Sequence, residues 1–343
     1  MKRIILEISA VMALFSAMMI ACARPNGFRY ASGATWGTVY HIKYLSDMDL
    51  TDSIVAVMRQ VDMSLSPFQE GSLVSRLNAG ERVKADAMLA DVFRLSQRVC
   101  SISGGAFDPT VAPLVNLWGF GYKARETDVP DKSKIDSALV TVGILDCGIS
   151  PDGIICGKHP DTEYNFSAIA KGYGVDMIAA MLHRNGCEDY MVEVGGEIAL
   201  RGDGPSGDGW VIQVDAPVNE SSGEAPLHQE LTTLHLTDVC LATSGNYRNR
   251  RLTSKGEIWH TISPVTGMPV ITDVLSSTIL APTTAFADAI ATASMAMPLD
   301  EALVMIQTQM SVRGLLVVCD GDSLRVVEVP AVVDAISDSA TGK

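Results

Sequence analysis

Two periodicities run through this 343-residue chain, and the order in which they occur limits the folds open to it. Alternation of apolar and polar residues, the mark of a half-buried strand, runs through Trp36–Tyr44, Tyr190–Arg201, Gly209–Asp215 and Gly314–Val329, the last turning at Asp320-Gly321-Asp322. Helical spacing places Ile54, Val57, Met58 and Val61 on one face behind a Thr51 or Asp52 cap. It does the same for Leu89, Val92 and Phe93 in a helix from about Asp86 to Ile102. Further helices are expected from near Ala168 to Arg184, over Ala285–Met297 and over Asp300–Thr308. Helices and strands are mixed without steady βαβ alternation. That order predicts an α+β fold, with mixed or antiparallel sheets and outer helices, rather than a doubly wound parallel sheet.

The N-terminus reads as an export signal. Lys2 and Arg3 precede an apolar run, Ile4–Ile20, broken only by Glu7, Ser9 and Ser16, and small Ala21 stands directly before Cys22. The run is short and ends at a small-residue cleavage site, as a signal peptide does. Cysteine at that junction resembles the bacterial lipobox, in which Cys22 carries the lipid; an ordinary signal peptide with a chance cysteine is the alternative. Acyl chains on Cys22 would anchor an otherwise soluble domain to a membrane. The expected organisation is a signal peptide over 1–21, lipidated cysteine and tether over 22–30, one domain over 31–335 and a tail over 336–343. Localisation follows from it: exported, membrane-anchored, facing the periplasm or cell exterior.

With 47% hydrophobic and 19% charged residues, the remainder has the make-up of a folded domain. A formal charge of −14 argues against a nucleic-acid partner, whose phosphates need a basic footprint. A phosphate ligand is compatible with an acidic chain only where backbone N–H groups, a few lysines or a metal neutralise it locally. The cysteines after Cys22 are irregularly spaced, with no C-x-x-C pair, so they do not make a zinc or iron–sulfur pattern. Buried thiols are expected, Cys147 and Cys156 being the one pair with a loop short enough for a bridge. Pro217–Glu230 is polar and reads as a surface loop.

No Walker A loop, H-E-x-x-H or G-x-S-x-G is present. Five other segments are dense in glycine and polar groups. Gly104-Gly105-Ala106-Phe107-Asp108-Pro109-Thr110 offers close backbone approach, a ring for stacking and an acceptor in Asp108; alone it reads equally as a helix-ending turn. Asn165-Phe166-Ser167-Ala168-Ile169-Ala170-Lys171 runs from a loop into a helix whose positive end suits a pyrophosphate, or is a plain capped helix. Glu193-Val194-Gly195-Gly196-Glu197 is a bulge, a tight crossing or a close backbone approach. Thr243-Ser244-Gly245-Asn246-Tyr247, with His260 set beside a Pro264–Gly267 turn, holds a candidate base. Asp288 and Thr292 stand at i and i+4, which places a carboxylate and a hydroxyl on one helix face. Such oxygens suit Mg²⁺, which takes few protein ligands.

Taken in order, these segments resemble the ApbE-type FAD:protein FMN transferases, once also called thiamine-biosynthesis lipoproteins. The resemblance runs from about Trp36 to about Thr292 and includes Trp36-Gly37-Thr38, Ser66-Pro67-Phe68 to Asn78, Ala106–Thr110, Ile169–Gly172, Val194–Glu197, Thr243–Tyr247, His260 with Pro264 and Thr266-Gly267, and Ala287–Ala289. It implies an FAD cleft between two intimately packed subdomains, lined by Trp36, Phe68, Ala106, Phe107, Asp108, Asn165, Lys171 and Ile262. It also implies Mg²⁺ on Asp288, Thr292 and the Ala168 carbonyl. Trp36, Asn165 and Ser263 stand where the family often has Met, Asp and Asp.

The reaction implied is phosphoryl transfer: His260 takes the proton of an acceptor threonine, which attacks the FMN-side phosphorus and releases AMP. Asp288, through the metal, is the other catalytic residue. The acceptor would be a flavoprotein, such as a membrane redox-complex subunit or an exported FMN-binding domain. FAD hydrolysis to FMN and AMP, and flavin binding without catalysis, are the two alternatives.

Overall fold

The computed structural model describes residues 27–123, 128–217, 230–245, 250–254, 256–320 and 323–331. The expected signal peptide, Cys22, the tail, Asn246-Tyr247, most of the Pro217–Glu230 loop and the last hairpin's turn lie outside the described residues. In chain order the strands are β1 (Phe28–Thr35), β2 (Thr38–Leu45), β3 (Gly148–Ile149), β4 (Ile155–Cys156), β5 (Tyr190–Val194), β6 (Glu197–Arg201), β7 (Trp210–Asp215), β8 (Glu230–Leu236), β9 (Cys240–Gly245), β10 (Arg250–Thr253), β11 (Gly256–Trp259), β12 (Val274–Ala281), β13 (Arg313–Asp320) and β14 (Ser323–Val329). The helices are α1 (Thr51–Leu65), α2 (Leu73–Asn78), α3 (Ala87–Ile102), α4 (Ala112–Leu117), α5 (Lys132–Leu139), α6 (Ser167–Arg184), α7 (Thr284–Ser294) and α8 (Leu299–Gln307).

Eight strands form one sheet in the order β1-β2-β5-β6-β9-β12-β13-β14, and its neighbours pair antiparallel. The pairs β3–β4, β7–β8 and β10–β11 stand apart as two-stranded ribbons. This is the expected mixture of antiparallel sheet and helices.

Helix boundaries follow the periodicity closely. Asp86 caps α3 by accepting from Leu89 N, and the apolar face of α3 is buried at Leu89, Val92 and Phe93. In α1 the expected inward residues Ile54, Val57, Met58 and Val61 are all buried. Its cap differs from expectation: neither Thr51 nor Asp52 caps it, and Asp49 Oδ1 takes the Thr51 N–H instead.

Three strand expectations need correction. Arg24–Tyr30 is not all tether, because Phe28–Tyr30 already belong to β1. Trp36-Gly37 is a two-residue hairpin turn, not the start of a strand, with φ of 51° and 76°. Tyr190–Arg201 is two strands, because Gly195 and Gly196 both take positive φ, 64° and 102°, and reverse the chain between β5 and β6. Two left-handed residues in succession give the twist that joins antiparallel strands, a role open to glycine at little steric cost.

Two buried clusters meet along α6. One gathers α3, α7, α8 and the β12–β14 half of the sheet. The other gathers α1, much of α6, and β1, β2 and β5. Trp36 and Met177 touch both. The contact of α6 with α7 depends on a missing side chain, since a Cβ at Gly172 would lie 2.5 Å from the Thr284 carbonyl oxygen. Asp176 of α6 fastens the same crossing by accepting from Thr284 N (2.7 Å) and Ala285 N (2.9 Å) at the start of α7. These helices carry the candidate metal residues, so the sequence that lets them touch also sets the site.

Candidate functional site

A cavity of about 570 Å³ is lined by every expected cleft, metal and catalytic residue except Trp36. That volume lies in the range of small-molecule sites. Helices α6 and α7 supply its floor through Ala168, Lys171, Asp288 and Thr292. The β7 ribbon closes one side with Ile212 to Asp215, and Phe68, Phe120 and His260 line it from loops and from the end of β11.

Trp36 is placed elsewhere. Its ring packs on α6, where a Cβ at Gly174 would come 2.1 Å from the indole Cη2. A bulky residue at φ 51° is strained, and the indole's contact with both buried clusters offsets that strain. Trp36, expected in the cleft wall, therefore packs on α6 and does not line this cavity.

Charge is concentrated on the floor. Asp288 is 3% exposed and its Oδ2 accepts from Gly172 N at 3.1 Å. Glu197, at the first position of β6 and also 3% exposed, takes the Lys171 ammonium on Oε1. Its Oε2 is buried with no hydrogen-bond partner among the described residues. Burial raises the Asp288 carboxyl, against the opposing pull of Lys171 and the Gly172 N–H. Burial likewise lifts Glu197, to about 8, with Asp288 adding and Lys171 opposing. For Lys171 burial pulls downward, but Asp288 and Glu197 outweigh it and the ammonium titrates above its ordinary range. Two carboxyls thus meet one ammonium in a dry place, where burial favours a proton on a carboxyl unless a further positive charge offsets the second one. A cation supplies such a charge.

The donors available suit a hard cation. No group of three or more His, Cys, Asp or Glu side chains is placed to hold a metal among the described residues. Asp288 and Thr292 lie one turn apart on α7, with Ala168 of α6 lining the same cavity. Ser244 Oγ and Thr292 Oγ1 are 3.3 Å apart. One carboxylate, one hydroxyl and a carbonyl form a partial oxygen set of the kind Mg²⁺ completes with water and substrate phosphates.

Asn165 lines the cavity, and its Oδ1 accepts from Ser167 N (3.0 Å) and Ser167 Oγ (2.6 Å) where the chain enters α6. An amide oxygen accepts such bonds as an aspartate would, without the charge. Asp108 does work different from that expected. Asp108 lines the cavity but directs both oxygens into the protein: Oδ1 takes Thr110 N and Oγ1, and Oδ2 takes Ile144 N. Burial raises its carboxyl despite those bonds. It fixes the Pro109–Val111 turn instead of offering an acceptor to a ligand. Phe107 is buried, whereas Phe68 is 68% exposed and stands edge-on to Tyr122 at 6.1 Å. Of these two rings Phe68 is therefore the one available for stacking.

His260 follows β11 and meets Phe120 edge-on at 6.5 Å. The turn after it is rigid. Ser263 Oγ accepts from Val265 N and Thr266 N, Gly267 N donates to the Ser263 carbonyl, and Trp118 Nε1 donates to the Gly267 carbonyl at 2.7 Å. Ser263 thus serves its own turn, the position where an acid was missing. Cys147 and Cys156 are free, so the short-loop bridge is not formed.

The sequence list omitted Glu197, Gly195, Gly196, Gln213, Thr243 and Ser244, all of which line the cavity. The Glu193–Glu197 motif and the Thr-Ser-Gly run signalled five of these positions; Gln213 sits in an ordinary alternating strand and gave no signal.

Comparison with known proteins places this architecture. A model of the ApbE family matches residues 36–316. An FAD:protein FMN transferase of Haemophilus influenzae is 32% identical over 317 residues, covering 88% of this chain and 90% of the relative. One from Vibrio cholerae is 35% identical over 298 residues, covering 84% and 87%. Among solved structures, a flavin transferase ApbE from Vibrio cholerae superimposes with a TM-score of 0.78 at 30% identity, covering 89% of this chain and 97% of that one. The apo Pseudomonas stutzeri flavinyl transferase ApbE gives 0.79 at 28%, covering 90% and 96%.

Proposed function

The chain belongs to the ApbE family, and from that premise we propose that it moves FMN from FAD to a threonine of an exported partner protein, with Mg²⁺ required and AMP released. That it is a flavin transferase, with FAD as substrate and a protein as acceptor, follows from the relatives it matches over most of their length. The metal, the threonine, the AMP product and the location are the parts of this reading that go further.

One observation carries it: Lys171, Asp288, Thr292 and His260 line the same cavity. The positive end of α6, at Ser167 and Ala168, faces a ligand there and favours a pyrophosphate. Lys171 adds a fixed positive charge. Asp288, Thr292 and the Ala168 carbonyl are the groups that would hold Mg²⁺. Such an ion, when bound, neutralises charge that develops on phosphate oxygens. Phe68 gives a planar ring system a face at the cavity's edge.

His260 accepts the proton of the acceptor hydroxyl, which then attacks the FMN-side phosphorus while AMP departs. In phosphoryl transfer the protein acts chiefly by positioning and electrostatics, and the buried floor supplies both. Export with lipid anchoring at Cys22, supported by the basic start, apolar run and Ala21-Cys22 junction, would set this reaction outside the cytoplasm.

The test combines purified protein, FAD, Mg²⁺ and an exported flavoprotein acceptor. Intact mass of the acceptor should rise by one FMN, with AMP appearing in equal amount. Free FMN and AMP without a modified acceptor would replace transfer by hydrolysis.

A further inference from the structure

The ammonium of Lys171 has two carboxylates to choose from. Asp288 Oδ2 is hydrogen-bonded to the backbone N–H of Gly172, the residue after Lys171, which sets that carboxylate beside the base of the lysine's flexible stem. Yet the ion pair formed is Lys171–Glu197, and no Lys171–Asp288 pair within 4.0 Å occurs among the described residues. Glu197 comes from a different element, the first residue of β6 after the Gly195-Gly196 turn. Glu193 holds that turn by accepting from Gly196 N at 2.9 Å. Glu197 is therefore presented by a fixed hairpin.

We propose that Glu197 is a positioning residue that draws Lys171 away from Asp288 and so keeps the Asp288 carboxylate open to a divalent cation. A lysine ammonium is a compact charge on four rotatable carbons. Without a competing carboxylate it would settle on Asp288, the other buried anion within its reach, and a Lys171–Asp288 pair would occupy the oxygens a cation needs. Glu197 gives Lys171 a partner on another element, with Lys171 still lining the cavity where a phosphate would meet it. The orphaned Oε2 is consistent with this: the carboxylate is held by a single partner at its other oxygen, as a counter-ion would be. The inference rests on the reading of Asp288 as a metal residue.

Direct cation binding tests it in the full chain without FAD. Mn²⁺ is titrated into wild type, Glu197→Gln, Lys171→Met and the double variant, with free Mn²⁺ read by electron paramagnetic resonance and folding checked by thermal unfolding. Glu197→Gln should weaken Mn²⁺ binding by about tenfold or more, the scale of a new competing contact worth about 1.4 kcal/mol. Lys171→Met should not weaken it, and adding Lys171→Met to Glu197→Gln should restore binding to within a few-fold of wild type. That rescue separates the proposal from a purely structural role, under which the double variant binds no better than Glu197→Gln. Equal binding by wild type and Glu197→Gln, or a double variant without rescue, overturns the proposal. A wild type that binds no Mn²⁺ overturns the metal reading and the proposal with it.

Discussion

The floor of the cavity and the arm that carries His260 are built from opposite materials. Floor residues sit on α6 and α7, which cross in direct contact at Gly172 and are fastened by Asp176; Asp288 and Glu197 are almost wholly excluded from solvent. His260 follows β11, which among the described residues pairs only with β10 in a ribbon outside the eight-stranded sheet. Near it Val265 and Ile271 are 65% and 86% exposed. A pyrophosphate and a cation are best gripped by fixed charges in a dry place, where Coulomb interactions are strong. A residue that must meet a hydroxyl on another protein has to be reachable from outside. On the proposed reading the two regions divide those tasks, and variants should separate them.

Breaking the floor should cost most. Asp288→Ala removes the only carboxylate of the proposed metal set, and Mg²⁺-dependent transfer should fall below detection, a loss beyond the 10²–10³-fold typical of deleting one preorganised contact. A Mg²⁺ titration of activity checks it, and wild-type metal dependence in the variant would remove Asp288 from the site. Breaking the arm should spare ligand binding. His260→Ala should lower kcat by about 10²–10⁴-fold, the usual contribution of a positioned base. FAD affinity, read by flavin fluorescence, should stay within a few-fold of wild type. Parallel loss of affinity and turnover would mean that the arm and the floor are not separate.

Sequence legibility divides along a related line. Helices α1, α3, α6, α7 and α8 were readable because each must bury one face, and period 3.6 betrays that need. The floor was readable too, since Asp288 and Thr292 owe their common face to i,i+4 spacing, and Lys171 follows a helix start. What escaped depends on contacts between distant segments. Gly195-Gly196 reads equally as a bulge or a turn until β5 and β6 are seen to pair, although glycine pairs between alternating runs are a recognised hairpin signal. Trp36 was expected in the cleft wall because nothing local shows that Gly174 leaves a slot for it. Asp108 looked like a ligand acceptor because Ile144, which takes up its second oxygen, lies 36 residues away. Glu197 was visible as part of a motif, but its importance lies in Lys171 on another element.

A gentler cut at the floor should give a graded loss. Thr292→Val keeps the shape and removes the hydroxyl that faces Ser244 at 3.3 Å. One lost oxygen contact of about 1–1.5 kcal/mol corresponds to roughly tenfold, so transfer should drop by about that factor and recover as Mg²⁺ is raised. Failure to recover at saturating Mg²⁺ would assign Thr292 to something other than the cation.

The smallest expected effect concerns how the floor is held together. Asp176 is half-buried, and desolvation raises its carboxyl to about 6; the Ala285 and Thr284 N–H bonds pull the other way, while the Asp288 charge adds to the rise. The ordinary value is 3.8, so between these limits the folded chain holds a proton that the unfolded chain has released. Stability from this group is therefore complete below about pH 4 and is lost as pH rises through about 6. A rise of about two units corresponds to an upper bound on the order of 3 kcal/mol. Asp176→Asn is a neutral stand-in for the protonated acid, with one good acceptor left for the two N–H groups at the start of α7. The variant should melt below wild type at pH 4, where both side chains are neutral. As pH rises to 7 the gap should narrow by a few degrees, given about 2–4 °C per kcal/mol for domains of 150–250 residues and less for a longer chain. Thermal unfolding of both proteins across that range measures it. A gap that stays constant, or widens with pH, would mean that the two N–H bonds outweigh burial and that Asp176 is a charged clasp between the helices.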